Sequence, residues 1–495
     1  MLASPDVPTE GLAALSAMPP ENTITDNVTN ASASSPGNNT NDGPHTAADT
    51  QIEAGEPSIT HKTGTDDPDH EADIGPAIYP PALENMEVLG YIKDKNGIDY
   101  FRDIGCSASI HDEVYFVFGD TFCKNSAGKS VGTTSNTIAY VEDRTNFLES
   151  EYRELSNNAR VKAFVPLNDR EIRFEEKNEN ARVVFRMFGG IADIGVVGVV
   201  WFQKSIKYEN GEESYRGVGQ ARLSTYSDGS ILVERLPSLL FGPNEPRIGS
   251  FSTLFYKGHV YLWGDGPKGQ IMLARVDQYE TALRDRYEYW SGSDWVPRWH
   301  DAVPVLHDVQ HGAIIHTNLF GKEKPFVFVG VNKQADSMVQ IGAAAEVQGP
   351  FALAAVCQAT SIKSDKEHKC CIYPHIYPHL WASNVPKREL MITWSESPPG
   401  GVIAAKLKFK IDEVAAVKEA EERKRAAEER KRAAEEQETR RLASIAKEQE
   451  ANFEYGFVSD ESDDPRPRRD RSEGRLKTGY VLRVVRTSSD HPTKP

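Results

Sequence analysis

One pattern recurs five times between residues 85 and 410 and constrains the fold more than any other property of this chain: a turn, a mostly apolar and aromatic strand, then a small or charged residue. The copies are HDEVYFVFGD ending at Asp120, GVVWFQK ending at Lys204, KGHVYLWGD ending at Asp265, KPFVFVGV ending at Val331 and RELMITWSE ending at Glu396. Their corresponding residues Phe118, Phe202, Trp263, Val329 and Trp394 lie 84, 61, 66 and 65 positions apart. Each copy leads into a further apolar strand: NTIAYVE, VGQARLS, QIMLARV, VQIGAAAEV and VIAAKLK. A small sheet of this kind buries its faces only against its neighbours, so the repeat predicts an all-β, five-bladed β-propeller. Two stacked sheets would not demand that regularity. Two copies align directly, Arg102-Asp-Ile-Gly-Cys-Ser leading to Phe118-Gly-Asp and Arg247-Ile-Gly-Ser-Phe-Ser leading to Trp263-Gly-Asp.

The flanks have a different composition. Residues 1–75 hold 13 Asp and Glu against one Lys, which accounts for most of the formal net charge of −16. With few large apolar side chains to offset ordering entropy, residues 1–80 read as a disordered acidic arm. Residues 412–450 contain EERKRAA at 421–427 and again at 428–434, with Glu421 to Arg425 and Glu428 to Arg432 at helical i,i+4 spacing. Alanine is the sole apolar residue type in that repeat, so a charged single helix is expected, with at most a weak helix-mediated protein partner. Residues 451–495 read as a mostly disordered tail, with a short strand near Val481 to Val485.

Several function classes are disfavoured. A pI near 5.4 without a clustered basic face argues against nucleic-acid binding. No window approaches the roughly 18 apolar residues of a membrane helix, and MLASPDVPTEGLAALSAMPP lacks a basic n-region and a sustained apolar h-region. The expectation is no membrane association and a cytoplasmic protein, or a secreted one if the N-terminus is incomplete. Three glycosylation sequons begin at Asn27, Asn30 and Asn38, in a Ser/Thr/Asn-rich stretch where they arise readily by chance. The cysteines, at 106, 123, 357, 370 and 371, are odd in number and show neither CxxC spacing nor a disulfide framework. Walker, GxSxG and dinucleotide motifs are missing, and no cofactor is expected.

In a propeller the inner strands line a central channel, and polar residues at its mouth form the default site. Asp103 lies in FRDIGCSAS and Asp120 ends the adjacent strand, so antiparallel pairing about the His111-Asp112 turn brings both carboxylates to one end. Glycosidic cleavage requires such a pair, one carboxyl protonating the leaving oxygen and the other attacking the anomeric carbon or activating water. The competing reading is structural: Asp120 and Asp265 share a Gly-Asp context in which the carboxylate commonly bonds backbone amides. His375 and His379 stand four apart and His311 precedes Gly312, but Pro374 and Pro378 break any helix that would align the first two for a metal. They fit hydrogen bonding or stacking in a sugar pocket, or satisfied structural histidines. Tyr261, Trp201, Trp263, Trp381 and Trp394 are candidate sugar platforms, although propeller aromatics more often fill the core between blades.

RDIGCSAS followed by VYFVFGDT and SNTIAYV resembles the opening of the bacterial and fungal family catalogued as domain of unknown function 4185. GSFSTLFYKGHVYLWGDG, YEYWSGSDWV, and YPHIYPHL before LMITWSESPPGGVIAAKLK are similar to further segments in the same order, over roughly residues 85–410. The resemblance implies a five-bladed propeller akin to arabinan- and fructan-cleaving enzymes, some members being endo-acting D-arabinanases. It implies paired acids at Asp103 and Asp120, with Arg102, Ser107 and His375 near the pocket. Arg247, His311 and Glu396, from the other copies, are expected to bind substrate beside them. The chain departs from the family in its charged helical tail and in lacking the expected secretion signal. Two readings follow: a glycoside hydrolase cleaving a furanose-containing polysaccharide, and a catalytically silent propeller binding a glycan or protein.

Overall fold

The computed structural model describes residues 75–454 apart from 157–159, 196, 227, 267–268, 334–335, 363–374 and 397–399. The expected acidic arm up to residue 74, the tail beyond residue 454, the strand at 481–485, the three sequons and the Cys370-Cys371 pair lie outside these residues.

Each of the five recurring segments is the second strand of its own sheet, and together the sheets make a five-bladed β-propeller. The second strand is hydrogen-bonded on both edges and packed on both faces, which is why its sequence is an uninterrupted apolar run. Blade 1 comprises Phe101–Ile110, Glu113–Lys124 and, on one edge, both Ser130–Thr134 and Thr137–Val141. Blade 2 runs from a broken inner strand, Ala181–Arg186 and Ile191–Asp193, through Gly198–Tyr208 and Glu213–Thr225 to Ile231–Arg235. Blade 3 begins with Arg247–Tyr256, His259–Asp265 and Ile271–Asp277. Blade 4 is Val309–His316, Phe326–Asn332, Met338–Ala344 and Ala354–Gln358. Blade 5 has an inner strand of two residues, Tyr377–Pro378, then Glu389–Ser395 and Val402–Phe409. Its outermost strand comes from the other end of the domain: Leu83–Tyr91 pairs antiparallel with Val402–Phe409. The ring is thereby closed by hydrogen bonds rather than by a chain connection.

The inner strands touch in sequence around the axis, from blade 1 to blade 5 and back. Between successive blades lie five apolar clusters, one for each junction. Trp201 fills the junction of blades 2 and 3, Trp263 that of blades 3 and 4, and Trp394 that of blades 4 and 5, each wholly buried. Burial of this kind is the main stabilising term for radial sheets.

Between blades 1 and 2 the helix Asp169–Lys177 starts with a capping box, in which Asn168 and Glu171 exchange side-chain to backbone hydrogen bonds. Glu171 is also gripped by Lys204 (2.6 Å) and Arg235 (2.7 Å), and these bonds together with the helix cap hold its carboxyl down at about 2 against the opposing effect of burial. The repeat-containing segment forms the helix Glu413–Glu454, whose first turns are partly covered at Ala415, Ala416 and Glu419 and which is exposed from Ala420 through residue 447. Its ion pairs include Glu419 with Arg423 at 3.0 Å and Lys418 with Glu422 at 3.9 Å, rather than the expected Glu421–Arg425 and Glu428–Arg432. On a solvated helix many rotamers of these long side chains are nearly equal in energy. No helix among the described residues is long and apolar enough to cross a membrane.

Candidate functional site

The inner strand of blade 1 does not run straight into its partner. Its register shifts between Arg102 and Ile104 and again between Ile104 and Cys106, and two successive residues are left-handed: Ile104 at φ 70° and Gly105 at φ 76°. A β-branched residue at positive φ is disfavoured and persists only where its surroundings over-determine it. Here the Ile104 N–H donates to Ser395 Oγ at 2.8 Å, and blade 5 locks the distortion in place. The bulge aims Asp103 across the strand pair, where its Oδ1 accepts the backbone N–H of Asp120 at 2.8 Å. Gly119 makes room for this: a Cβ there would overlap Asp103 Oδ1 and lie 2.7 Å from Ile104 Cδ1. The two candidate acids are therefore neighbours. Burial, reinforced by the charge of Asp120, raises the Asp103 carboxyl to about 7, partly offset by the Asp120 N–H and by Arg186.

Next to the pair, His311 and His375 meet at 4.3 Å between ring centroids, and Phe188 contacts both, stacking on His375 at 5.5 Å. Burial lowers His311 to about 4 and His375 well below its ordinary value, so both imidazoles are neutral at physiological pH. His375, left-handed at φ 59°, contacts Ser395 Oγ through Nδ1 at 3.3 Å, the same oxygen that holds Ile104. One serine thus ties the histidine pair to the strained backbone beside Asp103.

From His311 a cavity of about 460 Å³ opens across blades 2, 3 and 4, with walls that include Arg186, Phe188, Gln203, Tyr215, Arg247 and Asp265; Asp103, Asp120 and His375 lie beside it and are not part of its lining. Its volume lies within the common size range of small-ligand sites. Arg186 forms a forked pair with Glu213, Nη2 to Oε2 being 2.8 Å. Arg247 and Asp265 are cross-strand partners, and burial raises the Asp265 carboxyl while Arg247 and Lys333 pull it down. Blade 3 also breaks register after this point, between Arg247 and Ser252, with Gly249 left-handed at φ 80° but Ile248 not. Gly264, aligned with Gly119, faces the backbone of Arg247 and Ile248, where Gly119 faces the side chains of Asp103 and Ile104. Arg247 is therefore the counterpart of Asp103. The direct alignment of Arg102 with Arg247 is one residue out, because the bulge turns the intervening side chain to the other face.

Arg102 consequently does not reach the funnel. It is 2% exposed, donates to Ile92 O at 2.9 Å and lies over Phe118 at 4.0 Å, outside the lining of the cavity. Ser107 sits between blades 1 and 5, accepting from Trp381 Nε1 (2.8 Å) and donating to His379 Nδ1 (2.6 Å). His379 Nε2 meets Thr393 Oγ1 at 2.8 Å, and the Thr393 hydroxyl donates to Gly105 O. Because the single Thr393 proton is so committed, His379 carries its own on Nε2 and accepts at Nδ1. That chain braces the bulge from behind. Glu396 is 4% exposed and receives the hydroxyls of Tyr91 and Ser361, tying the closing strand to blade 5 instead of lining the cavity. The wholly buried Trp201, Trp263 and Trp394 are core and not sugar platforms. Arg186, Phe188, Gln203, Tyr215 and Lys333, which line the cavity, were not singled out by the sequence. Phe188-Gly189-Gly190 was the one local signal, an aromatic before a glycine pair where the inner strand of blade 2 breaks.

No family model and no curated protein matches the chain. Among solved structures it is similar to a Bacteroides ovatus protein provisionally described as a hydrolase, 13% identical, with 65% of this chain and 86% of that one covered at a TM-score of 0.44. It is also similar to the GH43_1 enzyme of Xanthomonas citri, 9% identical over 65% and 90% of the two chains at a TM-score of 0.35. A third likeness is to the β-1,2-mannobiose phosphorylase of Listeria innocua, 12% identical over 66% and 92% at a TM-score of 0.34. At these scores the likenesses carry no argument about chemistry, which rests on the geometry of blades 1 to 5.

Proposed function

We propose that the protein is a glycoside hydrolase that cleaves a polysaccharide in the propeller funnel, with Asp103 as general acid and Asp120 as its partner carboxylate. The observation that carries this reading is the strained bulge that sets Asp103 against Asp120 and keeps the Asp103 proton until about pH 7. An acid with that value retains its proton where a glycosidic oxygen needs one. In the reaction Asp103 gives its proton to the leaving oxygen as the bond to the anomeric carbon breaks. Asp120 either bonds to that carbon or removes a proton from the water that does. Phe188 offers an apolar face beside the neutral histidines, and Gln203 and Tyr215 offer hydrogen-bonding groups to sugar hydroxyls. The furanose-containing, arabinan-type substrate is the part of the reading that follows the family resemblance.

One feature favours the second reading, a propeller that binds a glycan without turnover: Asp103 Oδ1 is already bonded to the backbone of Asp120, as in a bracing carboxylate. Reducing-end release from arabinans, fructans and fungal wall glycans, measured for the protein and for Asp103→Asn and Asp120→Asn, separates the two. Release by the wild type that is lost in both variants supports the hydrolase. Release that survives Asp103→Asn removes Asp103 from the chemistry, and binding without any release leaves the silent propeller.

A further inference from the structure

The cavity across blades 2, 3 and 4 does not end at Arg247. A second hollow of about 530 Å³ runs on from it, lined by Pro243 to Arg247, Asp265, Gly266 and Gly269, and the two share Tyr215, Arg247 and Asp265. The result is a cleft of two joined hollows that meet at Tyr215, Arg247 and Asp265. The inner cavity is more basic than the chain as a whole, and Glu245 in the outer hollow brings the full cleft to three cations and three acids. The inner cavity carries Arg186, Arg247 and Lys333 against Glu213 and Asp265, a net positive lining in a protein of formal charge −16.

The three cations are not equivalent. Arg186 is engaged by the forked pair with Glu213, and Lys333 Nζ donates to Gly269 O. Arg247 lies 4.4 Å over the ring of Tyr215, and its polar side-chain contact is Nη1 to Gln203 Oε1 at 3.5 Å. It forms no ion pair within 4.0 Å among the described residues, although Asp265 faces it across the strand pair. Glu245, the other acid of the cleft, is held by Arg284 and by the N–H of Gly242. A guanidinium fixed on an aromatic face with donors unspent is preorganised to grip a planar carboxylate in two-point fashion. Since Arg247 stands where blade 1 has Asp103, blade 3 places a cation at the position from which blade 1 presents its acid.

We propose that the cleft selects an acidic glycan, and that Arg247 binds the carboxylate of a uronic acid unit next to the linkage held at Asp103 and Asp120. This rests on the reading of the funnel as a sugar site and assigns a charge to its ligand. A neutral chain leaves the Arg247 donors unmatched, whereas a uronate replaces their water with charge-assisted hydrogen bonds.

The test is calorimetric binding by the full chain carrying Asp103→Asn, so that turnover does not interfere. The probes are oligomers of galacturonate, glucuronate and mannuronate, their carboxyl-reduced neutral counterparts, and arabino-oligosaccharides. At least one acidic oligomer is expected to bind about 10- to 100-fold more tightly than its reduced form. Arg247→Gln is expected to abolish that preference while leaving the weaker neutral binding in place, and added salt is expected to weaken the acidic ligand alone. Equal binding of acidic and reduced forms overturns the proposal, as does a preference that persists in Arg247→Gln or the failure of every acidic probe to bind. Circular dichroism of the Arg247→Gln protein establishes that it is folded. Acid preference without cleavage by the wild type keeps this inference and removes the hydrolase, whereas cleavage confined to neutral glycans does the reverse.

Discussion

Replacing Asp103 by asparagine is expected to stabilise the folded chain at pH 8 and to do little at pH 4. The carboxyl ionises at 3.8 when free and at about 7 in the folded protein. Between those values the unfolded chain has released a proton that the folded chain still holds, so stability falls as pH rises from about 4 to 7 and levels off above it. A shift of about three units at roughly 1.4 kcal/mol each sets a ceiling near 4 kcal/mol. Part of the side chain reaches solvent, and about 2–3 kcal/mol is the expected gain at pH 8. Asparagine keeps an oxygen to accept the Asp120 N–H, so the bulge is preserved while the charge is removed. Urea unfolding of both proteins at pH 4 and pH 8 measures the effect as the change in their stability difference. A difference that is the same at both pH values, or an asparagine variant that is less stable at pH 8, would refute the view that Asp103 is a strained, reluctant anion.

Three other outcomes follow from the same structure. If Asp103 is the acid, kcat/KM against any cleaved glycan declines above about pH 7, read from a pH–rate profile on either side of neutrality. Ser395→Ala leaves the Ile104 N–H without its buried acceptor, so a loss of about 1–3 kcal/mol in urea unfolding is expected, with turnover reduced more than KM is changed. Glu171→Gln breaks the buried contacts with Lys204 and Arg235, for which about 3–5 kcal/mol of destabilisation is expected at pH 7. Because Glu171 titrates near 2 in the fold, that contribution is present above about pH 4.5 and disappears as pH falls toward 2, so the variant and wild type converge in acid.

The blade count was legible because Phe118, Phe202, Trp263, Val329 and Trp394 all occupy the same place, the doubly covered second strand, where burial on both faces leaves an unmistakable apolar run. The inner strands left fainter traces. Among the described residues blade 5 contributes just Tyr377–Pro378, and blade 2 interrupts its strand at Phe188-Gly189-Gly190, so little alternation was there to be read. Asp103 and Asp120 could be paired from the hairpin about His111-Asp112, but not the left-handed Ile104 between them, since propensity argues against it and tertiary contacts impose it. The same bulge explains the misreading of Arg102: a one-residue offset exchanges core and funnel faces, and sequence spacing does not record it.

The pairing of Leu83–Tyr91 with Val402–Phe409 has a consequence in time as well as in space. More than 300 residues separate the two strands, and a ribosome adding 5–20 residues per second takes about 15–60 s to supply the second after the first. Throughout that interval the earlier strand has an open hydrogen-bonding edge and no sheet to join, while blades 1 to 4 are able to stack on one another. A nascent chain of this design is therefore vulnerable to pairing between copies at one identifiable segment, and chaperone dependence during synthesis should be concentrated there.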